Sequence, residues 1–238
     1  MKKPTGVLIL AAALLVALAA YVLSEEEKSK EAAMDKTEKV EKAAAGEVTK
    51  VKADMASEIS LAISQPAPKF SLTGSDGKNY SLADFAGKWV VLEWINLDCP
   101  FVKKHYNSKN MQTLQKTYTE KGVVWLSICS SAPEKQGYFN GDALAANLKE
   151  AGLNAKAYLI DADGKVGKSY GAKTTPHMFV INPKGVLVYA GAIDDKPSTK
   201  LEDIEGANNY VTSALNAGMT GEVILVSSTP SYGCPVKY

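Results

Sequence analysis

The sequence contains no arginine, since all 27 of its basic residues are lysine. A site that depends on the planar, bidentate guanidinium group of arginine is therefore excluded. The 26 acidic residues leave a net charge of +1, so no overall field draws the chain to nucleic acid. The only histidines are His105 and His177, a weak set of metal ligands. No glycine-rich phosphate loop, HExxH or GxSxG motif occurs, and the sequence predicts neither a metal nor a cofactor.

The N-terminus carries a long apolar run. Residues 6–23 read GVLILAAALLVALAAYVL, which as a helix would span about 27 Å, close to the thickness of a bilayer core. Lys2 and Lys3 precede this run and three glutamates follow it, so the positive-inside rule places the rest of the chain outside the cytoplasm. Residues 1–24 are therefore predicted to be either a retained inner-membrane anchor or a cleaved signal peptide. Both alternatives predict an exported, periplasmic or otherwise extracytoplasmic protein.

The next stretch, residues 25–63, is rich in Glu, Lys, Ala and Val and contains no aromatic residue and no proline. It cannot bury enough apolar area to fold alone, and its residues favour helix. We expect a charged, partly helical spacer. A single folded domain is predicted over residues 64–238, with residues 219–238 as an extension after the last helix.

Within that domain, short apolar runs alternate with helical patterns. Predicted strands cover KWVVLEWI, VVWLSIC and AYLID, with helices at residues 102–122, 142–152 and 204–218 and hairpins at residues 67–87 and 174–194. Strands that alternate with helices and end in a hairpin indicate an α/β fold, with a central mixed sheet and helices on both faces.

One cysteine stands where a buried strand ends and a helix begins. Cys99 follows VVLEWINLD and precedes Pro100, which suits the first position of a helix because it has no N–H to leave unpaired. Unpaired backbone N–H groups and the positive end of the helix dipole stabilise a thiolate there, and Lys103 adds positive charge. Cys99 is predicted to be a nucleophile, and an inert buried cysteine is the alternative.

The motifs DCPFVKKHY, SSAPEKQGYF, TTPHMFVINPKGVLVYAGAIDD and YGCPVKY occur in this order. With them the sequence resembles the redoxin branch of the thioredoxin superfamily, the alkyl hydroperoxide reductase/thiol-specific antioxidant relatives. The resemblance implies a thioredoxin-like fold in which Pro176 is a cis-proline facing Cys99 and Thr175 offers its backbone to an extended substrate. Pro100 and Lys103 complete the predicted substrate-binding residues.

The chain also departs from this family's patterns. Asn96 and Val102 stand where a CxxC pair with Cys99 would need its second cysteine. Asn96 also replaces the threonine or serine that typical peroxiredoxins carry three residues before the peroxidatic cysteine, and the arginine of those enzymes is missing. Because these residues are missing, we do not expect the protein to be a fast, dedicated peroxidase.

Three further residues are candidates for a role near Cys99. Cys234, in the tail, is the candidate resolving cysteine, and the alternative is a cysteine that only packs the tail. Cys129 ends a predicted strand and is interpreted as a small core residue. Glu93 lies inside a buried strand, where it either pairs with a lysine or acts as a proton shuttle with a raised pKa.

Two functions of different classes remain open. The first is an exported oxidoreductase that uses Cys99 in thiol–disulfide exchange or peroxide reduction, with a thiol reductant, a disulfide-bearing protein or a peroxide as partner. The second is a non-catalytic thioredoxin-fold module that holds a peptide or partner protein on the face around Thr175 and Pro176.

Overall fold

The computed structural model describes residues 63–238. The predicted anchor or signal peptide and the predicted spacer lie outside the described residues, apart from Ile63, and both stay predictions. Among residues 63–238, no helix is both long enough and apolar enough to cross a bilayer.

A seven-stranded mixed sheet lies at the centre of the described part. Its strands, in chain order, are β1 (Ser71–Gly74), β2 (Asn79–Ser81), β3 (Val90–Trp94), β4 (Val124–Cys129), β5 (Ala157–Ile160), β7 (His177–Ile181) and β8 (Leu187–Gly191), and a separate pair consists of β6 (Thr174–Thr175) and β9 (Cys234–Pro235). The spatial order is β2-β1-β5-β4-β3-β7-β8. The central strands β3, β4 and β5 are parallel, while the flanking pairs are antiparallel.

Helices lie on both faces of this sheet, as expected. They are α1 (Pro100–Asn107), α2 (Asn110–Glu120), α3 (Gly141–Ala151), α4 (Lys165–Ser169) and α5 (Tyr210–Thr220), with short 3-10 helices at Leu82–Phe85 and Leu201–Ile204. The period of two in β3 decides which side chain joins which core layer. Val91 packs in the layer with α1, α2, α3 and α5, whereas Leu92 and Trp94 pack in the layer that contains Phe85 and Tyr170.

The helix after Cys99 differs from the prediction, because residues 102–122 form two helices rather than one. Lys109 adopts a left-handed backbone conformation with φ of 63°, which ends the first helix and starts the second. The Ser108 hydroxyl donates back to the Lys104 carbonyl at 2.7 Å, and the Asn110 amide lies 2.9 Å from His105 Nδ1. These local hydrogen bonds compete with the helical ladder and turn the chain.

The tail after α5 returns to the sheet. Ser228 forms a parallel bridge with Ala190 of β8, and β9 then pairs antiparallel with β6. The tail therefore reaches the point where β7 begins, beside the N-terminus of α1.

Candidate active site

Cys99 lies at the N-terminus of α1, as predicted. It is the N-cap residue with extended backbone, and Pro100 occupies the first helical turn. Asn96 shapes the preceding loop, since its side-chain oxygen accepts from the Asp98 N–H at 2.9 Å and its amide donates to the Gln136 carbonyl at 3.1 Å. These two hydrogen bonds make Asn96 part of the loop that leads to Cys99.

The peptide bond between Thr175 and Pro176 is cis, as the family resemblance implied. The Cys99 thiol donates to the Thr175 carbonyl at a sulfur–oxygen distance of 3.0 Å. The Thr175 hydroxyl is buried and has no hydrogen-bond partner in the described part of the chain. One residue thus presents both an acceptor for the Cys99 thiol and an unused donor for the thiolate.

Cys234 meets Cys99 across β6. In the β6–β9 register Cys234 stands opposite Thr175, whose carbonyl accepts from the Cys99 thiol, and both cysteines are free thiols. Gly233 is required at the preceding position, because a side chain there would collide with the Thr175 carbonyl. The sequence left two alternatives for Cys234, and the structure places its sulfur next to the predicted nucleophile.

Burial works against ionisation of Cys99, whose side chain is 0% exposed. Four donors near the sulfur, the Cys234 thiol, the Thr175 hydroxyl and the backbone N–H groups of Val102 and Cys234, favour the thiolate, outweigh that cost and lower the pKa of Cys99 below its usual range. Burial, the hydrogen bond to Cys99 and the charge of Cys99 raise the pKa of Cys234 to about 11. Of the two thiols, Cys99 is therefore the one that ionises more readily, while Cys234 holds its proton more tightly.

Glu93 is fully buried on β3, but the expected lysine partner is absent from the described residues. Its carboxylate instead accepts four hydrogen bonds from neutral donors on Tyr106, Gln115, Trp125 and Ser127, at 2.8 to 3.0 Å. Burial raises the pKa of Glu93, and these four hydrogen bonds oppose the rise. The prediction of a lysine ion pair was wrong, because neutral donors from α1, α2 and β4 fill the space around the carboxylate. The proton-shuttle role stays a prediction.

The two lysines of the first helical turn have different surroundings. Lys103 is half exposed, and its ammonium lies 3.9 Å from the Asp98 carboxylate. Lys104 is buried, and its ammonium donates to the Lys196 carbonyl at 2.7 Å. Lys103 is therefore the lysine of this turn whose charge is open to solvent beside Cys99.

A buried polar cluster that sequence reasoning missed fixes the tail just before Cys234. The Tyr232 hydroxyl donates to the Asp194 carboxylate at 2.5 Å and lies 3.3 Å from His105 Nε2. Burial and the adjacent Lys104 lower the pKa of His105 to about 3, so His105 is neutral and its 4.0 Å approach to Asp194 is not an ion pair at neutral pH. A tyrosine two residues before a cysteine was the only sequence signal for this cluster.

The remaining histidine and cysteine lie outside the pair of thiols. Cys129 is buried at the end of β4, with its thiol 3.5 Å from the Gly137 carbonyl, which confirms its interpretation as a core residue. His177 follows Pro176, is buried, and accepts from the Lys173 N–H at 3.2 Å. Residues 63–238 contain no group of three or more residues that could hold a metal ion.

Comparisons with known proteins find relatives in sequence and in fold. The thiol-disulfide oxidoreductase ResA of Bacillus thuringiensis is 28% identical over 128 residues, which cover 54% of this chain and 68% of ResA. A crystal structure of an uncharacterized conserved protein from Geobacillus kaustophilus matches with a TM-score of 0.66 and 27% identity, covering 75% of this chain and 93% of that one. A hypothetical protein from Sinorhizobium meliloti 1021 matches with a TM-score of 0.60 and 26% identity, covering 74% of this chain and 94% of that one.

The sequence also matches a protein-family model. The AhpC/TSA family model matches residues 63–190, a range that contains Cys99, Thr175 and Pro176. The match spans more than half of the chain, and the fold is the mixed α/β, thioredoxin-like architecture that the resemblance implied. The chain belongs to the AhpC/TSA family.

Proposed function

We propose that this protein is a thiol-dependent oxidoreductase in which Cys99 and Cys234 form one dithiol/disulfide pair. The observation that carries the proposal is the β6–β9 register, which sets Cys234 opposite Thr175 while the Cys99 thiol contacts the carbonyl of that same residue. The similarity to ResA, whose name describes a thiol–disulfide oxidoreductase, supports the same chemistry.

In thiol–disulfide exchange, the Cys99 thiolate attacks one sulfur of a substrate disulfide. A mixed disulfide forms, and the other substrate sulfur leaves as a thiolate that takes a proton from solvent. Cys234 then loses its proton and attacks the Cys99 sulfur, which releases the second substrate thiol and leaves a Cys99–Cys234 disulfide. A thiol reductant returns the pair to the dithiol with two electrons and two protons.

Peroxide reduction is the second candidate, and the match to the AhpC/TSA family favours it. The Cys99 thiolate attacks the terminal peroxide oxygen, and the O–O bond breaks to give a sulfenic acid and an alcohol or water. Cys234 condenses with the sulfenic acid, which forms the same disulfide and releases water. Disulfide exchange comes first in our proposal, because Asn96 stands in place of the threonine or serine of typical peroxiredoxins and the chain has no arginine to polarise a peroxide.

We also propose that the protein acts outside the cytoplasm, tethered to the inner membrane through residues 6–23. The two lysines before this apolar run and the glutamates after it support that orientation. A disulfide formed by Cys99 and Cys234 persists in such a compartment, where thiols are not kept reduced. Membrane fractionation of cells that express the full chain tests the tether, and its N-terminal sequence distinguishes a retained anchor from a cleaved signal.

Disulfide mapping by mass spectrometry tests the two-cysteine cycle. The reduced full chain receives one equivalent of hydrogen peroxide or of glutathione disulfide, and a Cys99–Cys234 link is expected in each case. Cys129→Ser is the matched control, because it removes a buried cysteine outside the pair and should leave the link unchanged. A Cys99 that stays a free thiol with both oxidants would contradict the proposal and favour the non-catalytic binding module.

A further inference from the structure

The strand edge beside Cys99 is occupied by the chain's own tail. β9 lies along β6 with Thr175 opposite Cys234 and Thr174 opposite Pro235. This pairing shows that the edge accepts an extended strand and sets the cysteine of that strand opposite Thr175, whose carbonyl accepts from the Cys99 thiol. A polypeptide that brings a disulfide to Cys99 by adding a strand needs the same edge.

The tail is anchored before β9 by buried polar contacts. The Thr229 hydroxyl lies 2.8 Å from the Tyr189 hydroxyl and accepts from the Ala192 N–H at 2.9 Å. Three residues later, the Tyr232 hydroxyl donates to the Asp194 carboxylate, a charged acceptor that is only 2% exposed. Hydrogen bonds to a buried charge are among the stronger ones in a folded chain.

The tail is also anchored after β9. The Val236 N–H donates to the Lys173 carbonyl at 3.1 Å, and the Tyr238 hydroxyl donates to the Ala172 carbonyl at 2.7 Å. The strand is therefore held on both sides. With the tail in place, the side chain of Cys99 is fully buried.

We propose that the docked tail restricts Cys99 to small oxidants, low-molecular-weight disulfides or hydroperoxides, and excludes extended polypeptide disulfides. Tyr232 is then a specificity-determining residue, since its hydrogen bond to Asp194 holds the excluding strand in place. This inference rests on the proposed function, because it assigns the substrates of the same Cys99 nucleophile.

Two probes with the same leaving group test the exclusion. Both probes are mixed disulfides of thionitrobenzoate. In one the second thiol is cysteamine, and in the other it is the cysteine of an extended peptide. Attack by the Cys99 thiolate releases the coloured thionitrobenzoate from either probe, and the rate seen with Cys99→Ser is subtracted as background from the other thiols. The readout is the ratio of the two rates, which a general change in Cys99 reactivity does not move.

Wild-type protein should react with the cysteamine probe at least about tenfold faster than with the peptide probe. Tyr232→Phe removes the bond to a buried carboxylate and should raise the undocked fraction of the tail roughly ten- to a hundredfold. The peptide rate should rise with that fraction, and the ratio should fall. Tyr80→Phe is the matched control, because Tyr80 also donates to an aspartate, Asp76, in the β1–β2 hairpin.

A second variant covers the case in which Tyr232→Phe fails to fold. Gly233→Ala displaces β9 by a collision with the Thr175 carbonyl and should lower the ratio by an independent route. Equal rates with both probes in the wild type, or a ratio that neither variant changes, would overturn the exclusion. Failure of Cys99 to react with either probe would instead overturn the proposed function.

Discussion

The substitution Gly233→Ala tests whether β9 docking presents Cys234 to Cys99. Gly233 has φ of 135°, a backbone conformation that L-residues rarely adopt. A side chain there would also collide with the backbone carbonyl of Thr175. Backbone strain of this kind costs on the order of 1–3 kcal/mol, and no rotamer relieves an overlap between Cβ and a backbone oxygen.

The expected magnitude follows from this strain. Each 1.4 kcal/mol corresponds to about a tenfold change in an equilibrium, so β9 docking should weaken by roughly ten- to a hundredfold. The effective concentration of the Cys234 thiol at Cys99 should fall by the same factor, because an undocked tail samples a much larger volume. Equilibration with glutathione buffers, followed by mass-spectrometric quantification of the Cys99–Cys234 disulfide, measures that effective concentration.

Gly206→Ala is the matched control. Gly206 has φ of 75°, but a side chain there would meet no heavy atom within 4 Å. The control therefore has backbone strain without a collision at the site. The effective concentration of the Cys234 thiol at Cys99 in this variant should equal that of the wild type. A Gly233→Ala variant that also matches the wild type would refute the reasoning that the β6–β9 pairing brings the two sulfurs together.

Three other results are expected from the described geometry. Because burial raises the pKa of Glu93 above its ordinary 4.5, the folded state holds this proton to higher pH than the unfolded state, and the contribution of Glu93 to the free energy of unfolding should fall as the pH rises from about 4.5. Glu93→Gln should lack that loss, so the free energy of unfolding of the variant, measured in urea, should increase relative to that of the wild type over this pH range. Parallel pH dependences of the two proteins would contradict the raised pKa of Glu93. Alkylation followed by mass spectrometry should give a midpoint for Cys99 below that of a free thiol and a midpoint for Cys234 near 11, and the reverse order would contradict the assignment of Cys99 as the more acidic thiol. Asn96→Ala removes the acceptor of the Asp98 N–H and should lower the free energy of unfolding by about 1–2 kcal/mol, which an unchanged urea midpoint would disprove.

Local patterns predicted most of the sheet. The apolar run that contains Glu93 is β3, and the hairpin after Pro176 is β7 and β8. Period-two alternation and buried apolar runs are encoded within a few residues, so they can be read without knowledge of the fold. The division of the predicted helix at residues 102–122 could not be read in this way, because it depends on side-chain hydrogen bonds of Ser108 and Asn110 in the folded chain.

The candidate site was only partly predictable. Cys99 followed from its place between a strand and a helix that begins with proline, and the cis bond before Pro176 came from the family resemblance. The surroundings of Glu93 did not follow, because its four donors come from α1, α2 and β4 and are separated from it in sequence. A buried carboxylate signals an unusual environment, but the sequence does not say whether charged or neutral groups supply it.

The sequence by itself determined that a cysteine stands at a helix N-terminus, where a thiolate is stabilised, because that property depends on neighbouring residues alone. Only the tertiary structure decided which cysteine meets it. Cys234 reaches Cys99 because Tyr232 bonds to Asp194 and β9 pairs with β6, and these contacts join residues that lie far apart in the chain. Contacts of that kind arise from the packing of the whole domain, and no local pattern encodes them.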